Sequence, residues 1–308
     1  MKVVQNIDEQ ITNCPFCNIV RDKNSTYGYK VASFSVDIYP DKQLVHPSFS
    51  VIKCSNCFLM YKSAIPRIDD LYLYYSNLDS GYENVKDLFP TDRIITEHFN
   101  KKTQSCTILD YGCGTGRILS KLDIKDKCYG IDINQSAMEI AQKKGIIAIN
   151  EKDLKLNYKD FFDSIILSDV YEHLTSPKEL LELLLYSLKP GGELIISTGI
   201  SDLIRYKKRI GYYWYFQLYS HLQMASNKHI DWIGKTFSLS ILLKRHVSHY
   251  DRTLSIRFKK LFANLIFYAY HELNLKKVLP EIFNVKKWHY PIFDNYAEDH
   301  IVCIYKKS

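Results

Sequence analysis

The sequence predicts an α/β fold built on a doubly wound, largely parallel sheet, with a small cysteine-rich module ahead of it. Two observations carry that expectation. Between residues 106 and 200, apolar runs of strand length alternate with amphipathic helical stretches, and such alternation requires parallel strands joined by helical crossovers. One of the strand runs, TILDY, breaks directly into Gly112, Gly114 and Gly116 and then a helical stretch, which sets a bare backbone turn at a helix N-terminus. At 308 residues and 46% hydrophobic, the chain can bury a full core, and its length suits one large domain with smaller attachments.

Residues 1–65 are dominated by CPFC (14–17) and CSNC (54–57), separated by short alternating pieces of strand character. Each pair places two thiols at the tip of a tight turn, and Cys14, Cys17, Cys54 and Cys57 together close a tetrahedral zinc site with no open position. Metal binding supplies folding energy that so short a segment cannot draw from a core. Redox chemistry is the alternative use of such pairs. Cys106, Cys113, Cys128 and Cys303 lie singly in or beside apolar runs and read as small core residues.

Residues 66–105 read as a helical connector that folds over the following domain and carries Tyr72, Tyr74, Tyr75 and Tyr82. Residues 106–308 form the main domain, with a core at 106–200 and an acceptor-side lid and final strands at 201–308. Within the core, TILDYG, KCYGID, IIAI, FDSIILSD and ELIISTG are strand runs, and QSAMEIAQKK and KELLELLLYSL are amphipathic helices. Lys189-Pro190-Gly191-Gly192 terminates the second helix and turns into the next strand.

The glycines serve a tight bend and a close approach of backbone to ligand. Their spacing, Asp110-x-Gly112-x-Gly114-x-Gly116, is one residue tighter at the end than the usual dinucleotide fingerprint. The second strand ends in Asp132, whose carboxylate can accept two hydrogen bonds from a ribose diol. Taken singly, each glycine is an ordinary turn residue and Asp132 a helix cap; together they make a nucleoside site.

Four ordered segments, LDYGCGTG, YGIDIN, DSIILSDVYEHL and SLKPGGELIIST, resemble the class I S-adenosylmethionine-dependent methyltransferases over roughly residues 106–200. The resemblance implies a Rossmann-like sheet. It places Gly112, Cys113, Gly114 and Gly116 against the amino-acid part of S-adenosylmethionine, and Asp132 with Ile133 at its ribose. It also implies that Asp110 positions the loop and the methionyl amine, that Glu151 or Asp153 reaches the adenine, and that Ser168 or Asp169 faces the methyl donor.

Methyl transfer from a sulfonium requires alignment, exclusion of water and, for many acceptors, a base. Glu172 and His173 follow the fourth strand directly, at the sheet edge where ligands of such folds sit. A structural turn is the competing role for that pair. His221, in LYSHLQMAS, is the stronger candidate base. Its segment resembles that of sugar C-methyltransferases, which also carry an N-terminal zinc domain with two CxxC pairs and use the histidine as general base. Ser220 stands where those enzymes have Glu, and they continue into a further C-terminal domain. The chain is more similar to shorter zinc-ribbon methyltransferases of bacterial glycan and polysaccharide biosynthesis.

Lys and Arg against Asp and Glu number 12 and 12 in residues 1–105, 11 and 14 in 106–200, and 18 and 8 in 201–308. The net charge of +7 therefore resides in the C-terminal third, which favours an anionic acceptor such as a sugar nucleotide or lipid phosphate, a membrane face or a nucleic acid. An RNA acceptor stays open, although the strand end reads LSDVYEHL rather than the Asn/Asp-Pro-Pro-aromatic motif of many base N-methyltransferases. A non-catalytic zinc-ribbon interaction protein with a cofactor-sensing fold is the alternative from outside enzymology. No apolar stretch reaches the length of a bilayer span and the N-terminus lacks a signal-peptide core, so a cytoplasmic location is expected. Residues 254, 258, 261, 262, 265 and 266 form an apolar stripe at helical spacing, read as core-facing, with a membrane-surface helix as the alternative.

Overall fold

The computed structural model describes residues 9–22, 25–38, 42–78, 88–122, 127–202, 207–251, 253–271 and 298–308. The N-terminal part is a set of short antiparallel strands: β1 (Glu9–Gln10), β2 (Thr26–Val31), β3 (Phe34–Ile38), β4 (Lys42–His46), β5 (Phe49–Lys53), β6 (Met60–Lys62) and β7 (Ala64–Ile65). Helix α1 (Ile68–Ser76) and helix α2 (Pro90–Asn100) follow. Tyr82 lies outside the described residues.

The main domain then alternates strand and helix largely as the periodicity predicts, except that the helical stretch expected after the glycine loop is a single 3-10 turn at Leu119–Lys121: β8 (Thr107–Tyr111), β9 (Lys127–Ile131), α3 (Gln135–Lys143), β10 (Ile147–Ala148), α4 (Glu151–Asn157), β11 (Phe162–Ser168), α5 (Pro177–Ser187) and β12 (Leu188–Gly199). Beyond them come α6 (Trp214–Gln217), β13 (Gln223–Met224), α7 (Asn227–Thr236), β14 (Leu239–Val247), α8 (Leu254–His271) and β15 (His300–Lys307). One seven-stranded sheet runs in the order β10-β9-β8-β11-β12-β15-β14. Its first five strands are parallel, and β15 lies antiparallel between β12 and β14. The final strands expected within 201–308 are an antiparallel pair, 239–247 and 300–307, while residues 289–297 lie outside the described residues.

Both faces of this sheet are covered, as the near-continuous apolar strands require. Leu109, Ile165, Leu167, Leu194 and Ile196 face one core with α4, α5, α7 and the cysteine module. Their neighbours Ile108, Ile166 and Ile195 face the other, against Ile94, Ile95 and Phe99 of α2 and Met138 and Ala141 of α3. The period of two along each strand sorts residues between the cores, and each buried aliphatic side chain contributes about 1.5–3 kcal/mol.

Residues 207–219, expected as a lid, are a packed wall. Ile210, Tyr213, Tyr215 and Phe216 are buried in a third core with Val31, Phe49, Val51, Met60 and Met224, so this aromatic run joins the N-terminal strands to the sheet. The apolar stripe on α8 also departs from expectation. Phe258, Leu261, Phe262 and Leu265 are exposed among the described residues, whereas Asn264 and Phe267 are buried, so the helix turns a different face inward than the hydrophobic pattern indicates.

One polar cluster fixes α2 to the sheet. His98 Nε2 and Lys102 Nζ both bond Glu193 Oε2, at 2.8 and 2.5 Å. Burial by itself pushes the Glu193 carboxyl up, but the hydrogen bonds from His98 and Lys102 outweigh it and hold the group at about 2, against an ordinary value of 4.5. A depressed carboxyl contributes stability above its ordinary value and loses it as pH falls towards the folded-state one. Glu193→Gln is expected to lower unfolding free energy by about 2 kcal/mol at pH 7. In urea titrations the gap from wild type should narrow steadily between pH 5 and pH 2; a gap that persists unchanged at the acid end would refute this role.

Candidate functional site

The turn after β8 is shaped from within the protein. Gly112 and Cys113 donate their amides to the carbonyl of Ile131, at 2.7 and 3.0 Å, which ties the loop to the end of β9. Gly112, Gly114 and Gly116 have φ of 79°, 52° and 74°, in the left-handed region that favours glycine. A Cβ at Gly112 would run into the Val170 side chain, so the loop also sits tightly against the turn after β11. The Cys113 side chain points into the core, with its sulfur 3.4 Å from that of Met138, and offers the site backbone only.

Asp132 stands at the end of β9, partly exposed. Its Oδ2 accepts the Gly114 amide at 2.8 Å and its Oδ1 accepts the Asn134 amide at 2.8 Å. Each oxygen keeps a further lone pair, the requirement for holding a ribose diol. The helix cap is Asn134 instead, whose side chain accepts from the Ala137 amide and also donates to the carbonyls of Leu78 and Tyr75. The tyrosine-rich connector thus closes over the cofactor side of the sheet. Ile133 is exposed beside it.

Glu151 and Asp153 separate cleanly. Asp153 makes a reciprocal cap with Asn150 at the start of α4, at 3.1 and 3.2 Å. Glu151 accepts from the Tyr111 hydroxyl at 2.6 Å and so faces the strand end that carries the glycine loop. Asp110 lies buried beneath the loop, where burial, opposed by the Arg117 charge, pushes its carboxyl up to about 7. Arg117 itself forms an ion pair with the buried Asp92 at 2.8 Å.

At the end of β11, Ser168 Oγ and Asp169 Oδ1 are buried without a hydrogen-bond partner. Asp169 has φ of 55°, a left-handed conformation that is uncommon outside glycine and turns the chain sharply at the sheet edge. Burial and the neighbouring Glu172 push its carboxyl up to about 7.

The residues expected on the acceptor side come together from distant parts of the chain. Glu172 is buried and accepts from the Thr198 hydroxyl at 2.8 Å. His173 donates from Nδ1 to the Ser220 carbonyl at 3.0 Å, which leaves Nε2 as its free ring nitrogen. His221 sits 4.7 Å from the His173 ring and 4.1 Å from the Tyr215 ring, centroid to centroid. Ligand atoms of Glu172, His173 and His221 all lie within 4.8 Å of one another. Burial, reinforced by His173 and Lys62, drives His221 well below the ordinary imidazole value, and its Nδ1 has no partner. It is a neutral, buried ring.

Tyr215 fixes that pocket. Its hydroxyl accepts the Gly199 amide at 2.9 Å and lies 3.3 Å from Thr198 Oγ1, and a Cβ at Gly199 would strike its ring. On the far side of Tyr215 lie His249 and His300, which the sequence reading did not single out. The only local signal was the acidic pair and histidine in Glu298-Asp299-His300, and nothing there linked it to position 249.

The cysteine module supports the same edge. Cys14 and Cys57 sulfurs are 3.5 Å apart, as are those of Cys17 and Cys54, and all four lie within 4.8 Å of one another. Sulfurs at about 2.3 Å from a tetrahedral zinc are separated by about 3.8 Å, so the set fits such an ion. The two turns repeat each other. Asn18 and Phe58 return their amides to the carbonyls of Cys14 and Cys54, and both adopt positive φ, of 56° and 61°. His229 bridges this module to the main domain, donating from Nδ1 to the Cys57 carbonyl at 2.8 Å and accepting from the Tyr171 hydroxyl at 2.6 Å.

A glycine loop, an acidic second strand end and a polar pocket along the carboxyl edge of one parallel sheet define a class I methyltransferase domain. A family profile described as a methyltransferase domain matches residues 83–243, just over half of the chain, and the chain belongs to that family. It is 31% identical over 161 residues to the ubiquinone/menaquinone biosynthesis C-methyltransferase UbiE of Wigglesworthia glossinidia brevipalpis, covering 46% of this chain and 63% of that one. It is 33% identical over 129 residues to the ribosomal protein L11 methyltransferase of Paraburkholderia xenovorans, covering 39% and 41%. An uncharacterized protein of Methanocaldococcus jannaschii, MJ1123, is 39% identical over 95 residues, covering 30% and 44%. The match thus spans less than two thirds of each relative. Among solved structures, the complex between the Haloferax volcanii Trm112 methyltransferase activator and the putative methyltransferase aligns with a TM-score of 0.52. At 12% identity, over 77% of this chain and 97% of that one, this is a likeness of fold alone. Among the described residues no helix is long and apolar enough to cross a membrane.

Proposed function

We propose that the protein is an S-adenosylmethionine-dependent methyltransferase acting on a polar small-molecule or glycan acceptor. The observation that carries this reading is the placement of His221, His173 and Glu172 on the same sheet edge as the glycine loop and Asp132. S-adenosylmethionine supplies an activated methyl group, so the protein is left to hold, orient, exclude water and take up a proton.

Asp132 and Glu151 hold the nucleoside side, and the loop at 112–116 gives backbone room for the methionyl part. The unpartnered Ser168 Oγ and Asp169 Oδ1 at the end of β11 fit a polar group of the cofactor or acceptor, since buried polar atoms of a native protein ordinarily find a partner. His221, kept neutral by burial, takes the acceptor proton at Nδ1. Tyr215 and the connector helix α1 keep the pocket dry.

The unmatched Gln223 oxygen, two residues after His221, favours a hydroxyl-rich acceptor. The basic excess of residues 201–308 favours one that carries phosphate, as a nucleotide-linked or lipid-linked sugar does. Zinc in the four-cysteine site is a structural ion in this reading, with no open position for chemistry.

Calorimetry with S-adenosylmethionine tests the donor side. Asp132→Ala is expected to weaken binding by about 1.5–3 kcal/mol in a protein that still folds, with a modest fall in melting temperature as the Gly114 and Asn134 amides lose their acceptor; wild type that binds neither S-adenosylmethionine nor its demethylated product would overturn the reading. With a cognate acceptor, His221→Ala should stop turnover and leave cofactor affinity as it was. A variant that still turns over would remove His221 from the role of base.

A further inference from the structure

We infer that Asp169, His249 and His300 form a binding site for a divalent transition-metal cation, next to the acceptor pocket and separate from the four cysteines. Ligand atoms of the three lie within 4.8 Å of one another, and His300 Nε2 is 4.0 Å from Asp169 Oδ1. Donors at about 2.1 Å from one ion stand roughly 3.0–4.2 Å apart, so the set closes on a cation with small side-chain movements.

Two of the atoms that would bind have no hydrogen bond within the protein, and a cation held there is one way to satisfy the Asp169 oxygen assigned above to a polar group. Asp169 Oδ1 and His249 Nδ1 are both buried with no hydrogen-bond partner. His249 and His300 stack at 4.3 Å between ring centroids, which sets two imidazoles side by side without a proton-sharing contact between them.

The surrounding residues have the form that metal-binding histidines require. Asp299 Oδ1 accepts from His300 Nδ1 at 3.0 Å and from the His249 backbone amide at 2.9 Å. One carboxylate therefore fixes the ring of one histidine, with Nε2 turned to Asp169, and the main chain of the other. A carboxylate behind a ligating imidazole sets its tautomer and raises its basicity. The site spans three elements: the turn after β11, the segment after β14 and the start of β15. No local pattern in the sequence could have revealed it.

Two imidazoles and one carboxylate suit manganese, iron, cobalt or zinc in the divalent state more than calcium or magnesium. Three protein ligands leave positions open on an ion of coordination four to six, and Asp169 stands at the strand end assigned to the reacting groups. The cation would hold an oxygen of the acceptor. This role rests on the methyltransferase reading, whereas the binding itself does not.

The test uses full-length protein with zinc already in its cysteine site. Titration with manganese(II), followed by loss of the free-ion electron paramagnetic resonance signal, should show uptake of a further equivalent. Cobalt(II) should compete for it and give a visible spectrum without a thiolate charge-transfer band. His249→Ala and Asp169→Asn should each weaken manganese binding at least tenfold, and Asp299→Asn by about 10–100-fold. Circular dichroism and retained zinc serve as folding controls, so a single collapsed variant does not decide the matter. If zinc-loaded wild type takes up no manganese or cobalt, or if folded His249→Ala and Asp169→Asn bind as wild type does, the three side chains are an ion-paired cluster and the proposal is overturned. Both results leave the calorimetry with S-adenosylmethionine standing, so failure here is separate from failure of the proposed function.

Discussion

The half of the candidate site proposed for the acceptor depends on one buried contact, the neutral imidazole of His229. Burial lowers this ring to about 4, so it is uncharged and must divide its nitrogens between one donor and one acceptor role. The Cys57 carbonyl can only accept, which makes Nδ1 the donor and leaves Nε2 to receive the Tyr171 hydroxyl. The tip of a cysteine turn is thereby locked to the turn that carries Glu172 and His173. Ser226 adds to the lock by capping α7 and donating to the Phe58 carbonyl at 3.0 Å.

From this junction the chain is knitted into the pocket. Leu222 donates to the Glu172 carbonyl and accepts from the Lys62 amide, at 2.8 and 2.9 Å, and β13 pairs with β6. The segment bearing His221 is thus a strip held between the N-terminal strands and the sheet edge. Lys62 is buried beside it, driven well below its ordinary value by burial, and its Nζ contacts His46 Nε2 and the Leu218 carbonyl at 3.0 Å each. The N-terminal module is therefore a wall of the site, while the glycine-loop side is made from the parallel sheet and the connector that closes over it.

That division explains which parts of the site could be read from sequence. The glycine loop, Asp132 and the cysteine pairs are local patterns, each set by a turn and its flanking strand, and they stand where the residues indicate. The cap is Asn134 rather than Asp132, a difference decided by a few backbone bonds that spacing does not encode. Asp153 could not be told from Glu151 because both lie in the first turn of α4, and only the position of Tyr111 distinguishes them. The meeting of His221 with His173 depends on β6 pairing with β13, and that of His249 with His300 on β14 pairing with β15. Such long-range pairings leave no mark at either residue. The aromatic run at 207–219 has the composition of a lid but is wall, because two layers rather than one pack against it.

If the cysteine module supports the side that carries Glu172, His173 and His221, and the sheet with its connector supports the glycine-loop side, taking zinc from the proposed four-cysteine site should affect the two halves differently. Hydrogen exchange read by mass spectrometry, before and after zinc is stripped with a chelator, measures this directly. The amides of 171–173 and 219–224 are expected to lose protection while those of 107–116 and 127–132 keep it, with S-adenosylmethionine still bound. Unchanged protection across 219–224, or loss of both halves together, would contradict the account.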